Sequence, residues 1–330
     1  MNIDDLIINN FRGCVLIQKD GKKVLEKAYG CADLPNRILN EVSTKFATAS
    51  AGKVFVAVGI LQLIEKSLLK LSDTIGDIFD FDWKQIDTSI TIVELLTHTS
   101  GVPDYFDESI MNEYEELWTD FPNYKIRSNA DLIPLFINEP MMYPRGSKFQ
   151  YNNTGYVILA MIIEKITGSK FDEYLQDNIF SPCGMTSTGY YELDRLPAKC
   201  ATNYIYDEKR NNYRTNIFSV DAKGTGAGGA FTTVNDIRLF WKHLLSENLL
   251  SAEMTRNMIS NHSGEAECYG YGIWLYKSDK YLIPYFQGCD PGVSFISGYD
   301  IKKELLIVLV SNYGDDVWQL FRDINKHFEI

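Results

Sequence analysis

A serine three residues ahead of a lysine, in Ser50-Ala51-Gly52-Lys53, puts a hydroxyl and an amine on one side of a helix turn, close enough to touch. An unactivated serine is a poor nucleophile. An amine held in an apolar setting, near the positive end of a helix, loses part of its preference for its proton and can take the one on the serine. The chemistry on offer is acyl transfer through a serine ester. Short patterns of this kind recur by chance, and a serine N-cap followed by a lysine whose stem lies along the surface has the same spelling. What singles this pair out is the stretch from Ser50 to Lys66, which is apolar around its whole circumference and predicts a helix buried on every side.

A second set of polar residues, Tyr151-Asn152-Asn153, follows the loop Tyr143 to Gln150 and precedes an apolar helix predicted over Tyr156 to Ile166. Tyrosine shuttles a proton when a nearby ammonium lowers its pKa, and Asn153 has the groups to hydrogen-bond both a lysine and a substrate amide. Read alone, Tyr151 is a packed loop aromatic. Two other patterns are set aside. Gly224-Thr225-Gly226-Ala227-Gly228-Gly229 spells GxGxxG without a clear strand before it, so it predicts a loop near the cleft and not a dinucleotide site. His98 has no GxSxG serine to serve and reads as a structural residue of its loop.

The elements that must position these groups fall into three stretches. Near the amino terminus, a strand at Gly13 to Gln18, a turn at Lys19-Asp20-Gly21-Lys22 and a strand at Val24 to Tyr29 form a hairpin. From about Thr91 to Tyr190 helical patterns dominate, broken by loops such as Val102 to Phe106 and Met142 to Gly146. Four strands then follow, over Tyr271 to Tyr276, Tyr281 to Phe286, Val293 to Tyr299 and Leu305 to Val310, before a final helix from Asp315 to Phe328. Strands at both ends with helices between predict an α/β (α+β) fold. One sheet domain is built from residues 1–75 and 205–330, and a mainly helical domain from 76–204 is inserted into it.

With 330 residues, 45% hydrophobic and 23% charged, the chain has the material for a large core and the length of two domains. A net charge of −12 supplies no basic stripe, so nucleic acid is not an expected partner, whereas neutral or cationic small substrates stay open. Gly155 to Ile163, the longest apolar run, is far short of the roughly 20 residues of a membrane-spanning helix. The amino-terminal residues carry early aspartates and neither a basic nor a sustained apolar region, so the expectation is a cytoplasmic protein. Six scattered cysteines without CxxC spacing predict reduced thiols, and four dispersed histidines give no metal-ligand pair; no metal or other cofactor is expected.

Three segments together carry a resemblance: Phe46 to Lys53, Leu95-Leu96-Thr97-His98-Thr99-Ser100-Gly101, and the run Pro144, Gly146, Phe149, Tyr151, Asn153, Gly155, Tyr156. With Ser181 to Met185 and Gly228 to Asp236, the chain from roughly residue 12 to 312 resembles the serine β-lactamase and penicillin-binding-protein superfamily. It is most similar to the branch of class C β-lactamases, D-alanyl-D-alanine carboxypeptidases and related esterases. The resemblance implies a five-stranded antiparallel sheet flanked by helices, an all-helical domain beside it, and a site in the cleft between the two. Ser50 would be acylated, Lys53 and Tyr151 would share the general-base role, and Asn153 would orient substrate.

The family's third motif, Lys or His, then any small residue, then Gly on an edge strand, corresponds here to Phe286-Gln287-Gly288, fixed by the following Asp290-Pro291-Gly292-Val293. The cation is missing. Lys223-Gly224-Thr225-Gly226 has the right letters but lies too early in the chain to be that strand. Gly288 lets substrate backbone lie against the strand, and the N–H groups of Ser50 and Cys289 form the implied oxyanion hole. Two readings of Phe286 stay open: it faces the cleft and disfavours a substrate carboxylate, or it points into the core and Gln287 meets the substrate. The expected function is therefore a serine hydrolase acting on an amide or ester of a small molecule or short peptide. An esterase or D-peptidase fits better than a β-lactamase, with β-lactams among the ligands able to acylate Ser50. The competing reading is a weakly catalytic binding or sensor protein, against which the joint presence of Ser50, Lys53, Tyr151 and Asn153 argues.

Overall fold

Alternation of side chains across each strand builds the centre of the molecule. The computed structural model describes residues 3–7, 11–111, 113–264, 267–278 and 280–328. Six strands, β1 (Gly13–Lys19), β2 (Lys22–Tyr29), β3 (Trp274–Lys277), β4 (Leu282–Asp290), β5 (Val293–Asp300) and β6 (Leu305–Ser311), form one sheet in the order β2-β1-β6-β5-β4-β3. Every neighbouring pair is antiparallel, and β1 meets β6 in register from Gly13 opposite Ser311 to Lys19 opposite Leu305. The two chain ends thus share the sheet. It has six strands where the family resemblance implies five, and all six lie where the residue pattern predicts a strand.

Cys14 and Leu16 of β1, with Leu306, Val308 and Val310 of β6, face one core; Val15 and Ile17, with Leu305, Ile307 and Leu309, face the other. A period of two with apolar residues in both phases requires cover on both faces. One cover is the pair α1 (Ile3–Ile7) and α5 (Val317–His327); the other holds α2 (Lys53–Glu65), α3 (Asn153–Thr167) and α4 (Val234–Leu245). Eleven residues of α2, from Lys53 to Leu63, are buried, as its unbroken apolarity predicts. At Gly59 of α2 a Cβ would stand 3.1 Å from the Ile163 side chain of α3.

Between Thr91 and Tyr190 there is less α-helix than the apolar spacing predicts. Among the described residues of that stretch, apart from α3, only the short pieces Ile92–Leu96 and Phe171–Leu175 are α-helical, and those between 97 and 152 run as loops and short 3-10 helices. Pro103, Pro122, Pro134, Pro140 and Pro144 punctuate that stretch, and each removes an N–H that a helix interior needs. One buried cluster nonetheless runs from Cys14 through Trp83, Tyr156 and Phe286 to Val310, continuous across residues 75 and 204. Among the described residues, no helix is long and apolar enough to cross a membrane.

Candidate active site

Ser50 lies within a 3-10 turn, Ala49–Gly52, that leads into α2. Gly52 is the residue that caps α2, and no side chain makes a cap hydrogen bond there, so the serine is not a helix cap. Ala49 has φ +48°, a left-handed conformation that costs a non-glycine residue about 1–2 kcal/mol and turns the chain sharply just before the serine. The turn is held from outside: Thr48 N–H donates to Ala230 O at 2.8 Å, and Gly229 N–H donates to Ala49 O at 3.0 Å. The glycine-rich segment 224–229 therefore packs along the turn. At Gly228 a Cβ would stand 2.4 Å from Ala49 O, and at Gly226 2.2 Å from Tyr156 O, so close approach of backbones is what these glycines serve.

Lys53 occupies the first turn of α2, buried beneath Ser50. Its ammonium donates to Ser50 Oγ at 2.9 Å, to Asn153 Oδ1 at 2.8 Å and to Ala227 O. Burial brings its pKa down to about 8 against the pull of nearby carboxylates. Near neutral pH a fraction of such an amine is free to accept a proton, which is the condition a general base must meet.

Tyr151 and Asn153 arrive from the start of α3. Asn152 caps that helix, its Oδ1 accepting from Gly155 N–H at 2.8 Å, while its own N–H donates to His98 Nδ1 at 3.1 Å. His98 Nε2 meets Tyr269 Oη at 3.1 Å, and its ring lies 4.5 Å from that of Tyr151. Buried among aromatics and next to Lys53, His98 has its pKa lowered well below the usual imidazole range. It anchors the Tyr151 loop, as its structural reading expects. Asp104 accepts the N–H groups of Asn153 and Thr154, each at 2.9 Å, and so fixes Asn153 toward the lysine.

Tyr151 and Ser50 line the same cavity, and Lys53 Nζ lies 5.0 Å from the tyrosine ring centre. The expectation that an ammonium lowers the pKa of this phenol does not hold. Burial pushes it well above 10, and Glu108 adds to the rise; the lysine faces the ring and not the hydroxyl oxygen. At neutral pH Tyr151 is a hydroxyl that relays or donates, and Lys53 is the better base.

The third segment lies on β4, and there the sequence reading of Phe286 needs correction. Successive β4 residues face opposite sides of the sheet: Tyr285 and Gln287 turn toward α5, where Gln287 Oε1 accepts from Trp318 Nε1 at 2.8 Å. Phe286 turns the other way and is 2% exposed, stacked on Trp241 at 5.3 Å and on Phe295 at 5.9 Å. It is core and cannot meet substrate, whereas Gln287, Gly288 and Cys289 line the cavity beside Ser50. Phe286→Ala is therefore expected to cost about 3–5 kcal/mol of stability, read as a lower melting temperature, without changing the preference between neutral and carboxylate substrates. A stable variant with an altered preference would return Phe286 to the site.

Gly288 comes so close to the serine turn that a Cβ would stand 2.2 Å from Thr48 O and 2.7 Å from both Ser50 N and Ala51 N. β3 pairs with β4 only from Leu282 to Tyr285, so from Phe286 onward this edge of β4 is open to the cleft. Cys289 is exposed at the cleft, where partial desolvation, with Asp290 beside it, pushes its thiol pKa up to about 11 and makes it a poor nucleophile at neutral pH.

The cavity over Ser50 has a volume of about 700 Å³. Trp274, stacked 5.8 Å from Tyr151, forms one wall, and Glu108, Asp221 and Asp290 are on others. Sequence reasoning missed all four. Trp274 was hidden inside a predicted strand, and Asp290 served only to align the third motif; the spacing of the acidic residues along the chain carries no signal that they converge.

Comparison with known proteins gives a consistent result. The family described as Beta-lactamase matches residues 9–324. Penicillin-binding protein 4* of Bacillus subtilis is 28% identical over 325 residues, covering 93% of this chain and 69% of its own length. Among solved structures, a penicillin binding protein from Bacillus halodurans superposes with a TM-score of 0.93 at 34% identity, covering 98% of this chain and 99% of that one. A D-amino acid amidase from Ochrobactrum anthropi SV3, crystallised with L-phenylalanine, shares the fold at a TM-score of 0.81 and 21% identity, over 99% and 97% of the two chains.

Proposed function

Because the chain belongs to the Beta-lactamase family, we propose that it is a serine hydrolase that cleaves an amide or ester through an acyl-enzyme on Ser50. The observation that carries this reading is the contact of the buried Lys53 Nζ, 2.9 Å from Ser50 Oγ, on the floor of an open cavity. Neutral Lys53 takes the hydroxyl proton as Oγ bonds to the substrate carbonyl carbon. The Ser50 and Cys289 N–H groups receive the oxyanion, and Tyr151 relays the proton held by Lys53 to the departing amine or alcohol as its bond to carbon breaks, which leaves Lys53 neutral again. Water then attacks the ester carbonyl and gives a proton to Lys53, which passes it to Ser50 Oγ as the bond from Oγ to the acyl carbon breaks. Asn153 holds the lysine and offers its amide to the substrate, and the open edge of β4 at Gln287 and Gly288 aligns an extended acyl chain.

We further assign residues 1–75 and 205–330 to a sheet unit and 76–204 to a mainly helical one, with Ser50 in the cleft between them. No cation stands at the Phe286 position to receive a carboxylate, which favours an esterase or amidase over a β-lactamase or carboxypeptidase. The test is intact-mass spectrometry after incubation with a fluorophosphonate, a penicillin, p-nitrophenyl esters and D-amino acid amides. A single adduct on the peptide holding Ser50, with rapid turnover of an ester or amide, is expected. A stable penicillin adduct without turnover would favour a penicillin-binding role, and no adduct with any reagent would leave a ligand-binding protein.

A further inference from the structure

The charge on the cavity wall is one-sided. Its acidic lining residues are Glu108, Glu113, Glu115, Asp221 and Asp290, against a single lining cation, Arg214. That arginine is already engaged: its guanidinium meets Glu115 Oε1 at 2.6 Å and Ser219 Oγ at 3.0 Å. Asp221 receives a hydrogen bond from Tyr114 Oη at 3.0 Å, but Asp290 has no hydrogen-bond or ion-pair partner among the described residues. Lys53, the other nearby cation, must give up its charge to act as the base.

Asp290 is also well placed. It lies two residues beyond Gly288 on the same face of β4, hence about 7 Å along the strand from the point where Gly288 abuts Ser50 N. A carboxylate at that distance reaches a group one or two bonds from a carbonyl carbon held at Ser50 Oγ. Deepening the serine-hydrolase reading and resting on it, we infer that the cleft selects acyl groups bearing a free ammonium next to the scissile carbonyl, aminoacyl esters or amides, with Asp290 as the main counter-ion and Asp221 as the second.

The electrostatics of the empty cleft agree with this. Burial, and then the neighbouring Asp221, push the Asp290 carboxyl up to about 8, and burial pushes Asp221 up to about 7. Both are acids in want of a positive neighbour. An ammonium bound between them supplies it and restores the ionised forms, whereas a substrate carboxylate in the same place finds no opposite charge.

The experiment compares three p-nitroanilides or p-nitrophenyl esters that share a leaving group: alanyl, in both stereochemical forms, N-acetylalanyl, and propionyl, which lacks the amine. In the native enzyme at pH 7, kcat/KM for the better alanyl substrate should exceed that for both neutral analogues by about tenfold or more. The ratio should fall by about tenfold in Asp290→Asn and by less in Asp221→Asn, with melting temperatures showing that the variants are folded. Raised salt should shrink the native ratio only slightly, as for a sheltered pair. A native ratio near one, a preference for N-succinylalanyl over alanyl, or a ratio that survives Asp290→Asn in a folded enzyme would overturn the inference. Propionyl ester turnover in those cases would leave the hydrolase reading standing; if neither the propionyl ester nor a fluorophosphonate acylates Ser50, both fall together.

Discussion

Ser50→Ala is expected to abolish the covalent adduct and to lower kcat/KM by about 10³- to 10⁶-fold, the range seen when a hydrolase loses its nucleophile. The fold should be nearly untouched. Ser50 caps no helix and is only partly buried, and its hydroxyl is one of three acceptors on Lys53, so the ammonium keeps Asn153 and Ala227. The loss amounts to one hydrogen bond of about 1 kcal/mol, small enough to move the melting temperature by only a few degrees. Intact-mass analysis and a thermal melt on one preparation check both halves. An adduct that persists in the alanine variant would move the nucleophile elsewhere. Labelling lost in folded His98→Ala but kept in Ser50→Ala would point to a histidine-based site.

The second large effect belongs to Lys53, and its sign can be worked out with pH. A base whose pKa is brought down to about 8 by burial is mostly protonated at pH 6 and mostly neutral at pH 9. Acylation should therefore rise about tenfold per pH unit below 8 and level off above it, with no further limb from Tyr151 until beyond 10. Lys53→Ala should lower kcat/KM by about 10²- to 10⁴-fold and erase that limb. Tyr151→Phe should cost less. Lys53 binds the Ser50 hydroxyl and Tyr151 lines the cavity beside it, so the double variant should be scarcely worse than Lys53→Ala alone. Losses that multiply, or an ascending limb that survives without the lysine, would show that the two do not work as one proton-transfer unit. Because Asp104, Asp221 and Asp290 also titrate near 7 to 8, the midpoint belongs to the cluster, and the loss of the limb in Lys53→Ala is what assigns it.

Much of this architecture can be read from local pattern. The six strands of the sheet show themselves by alternation, and α2 by being apolar all round, because each is a repeat that a short window contains. Ser50, Lys53, Tyr151 and Asn153 are legible because their spacing relative to helix starts is itself the motif. The failures are all long-range. Phe286 sits in the right segment, but which face of β4 it takes depends on Trp241, from α4, waiting behind it. The pKa of Tyr151 follows burial by elements far away in the chain, and no single-residue rule anticipates it. The acidic wall is assembled from two loops and a strand end, so Glu108, Asp221 and Asp290 look like ordinary surface charges until the chain is folded. The stretch 97–152 misleads in the opposite sense, since its apolar spacing imitates helix while its prolines forbid it.

Ser50 and Lys53, the proposed nucleophile and base, stand at the start of a helix with no exposed face, and this decides how the site can be lost. The amides of α2 from Ala57 to Leu63 should exchange with deuterium only when the whole molecule opens, since no partial fraying exposes a helix surrounded by the core. Lys53 and Ser50 are tethered to that most protected unit, whereas Glu108 and Glu113 come from a long irregular loop whose local openings cost far less. Heat or denaturant should then first loosen the wall proposed to choose substrates, and only at the cooperative transition destroy the Ser50–Lys53 pair.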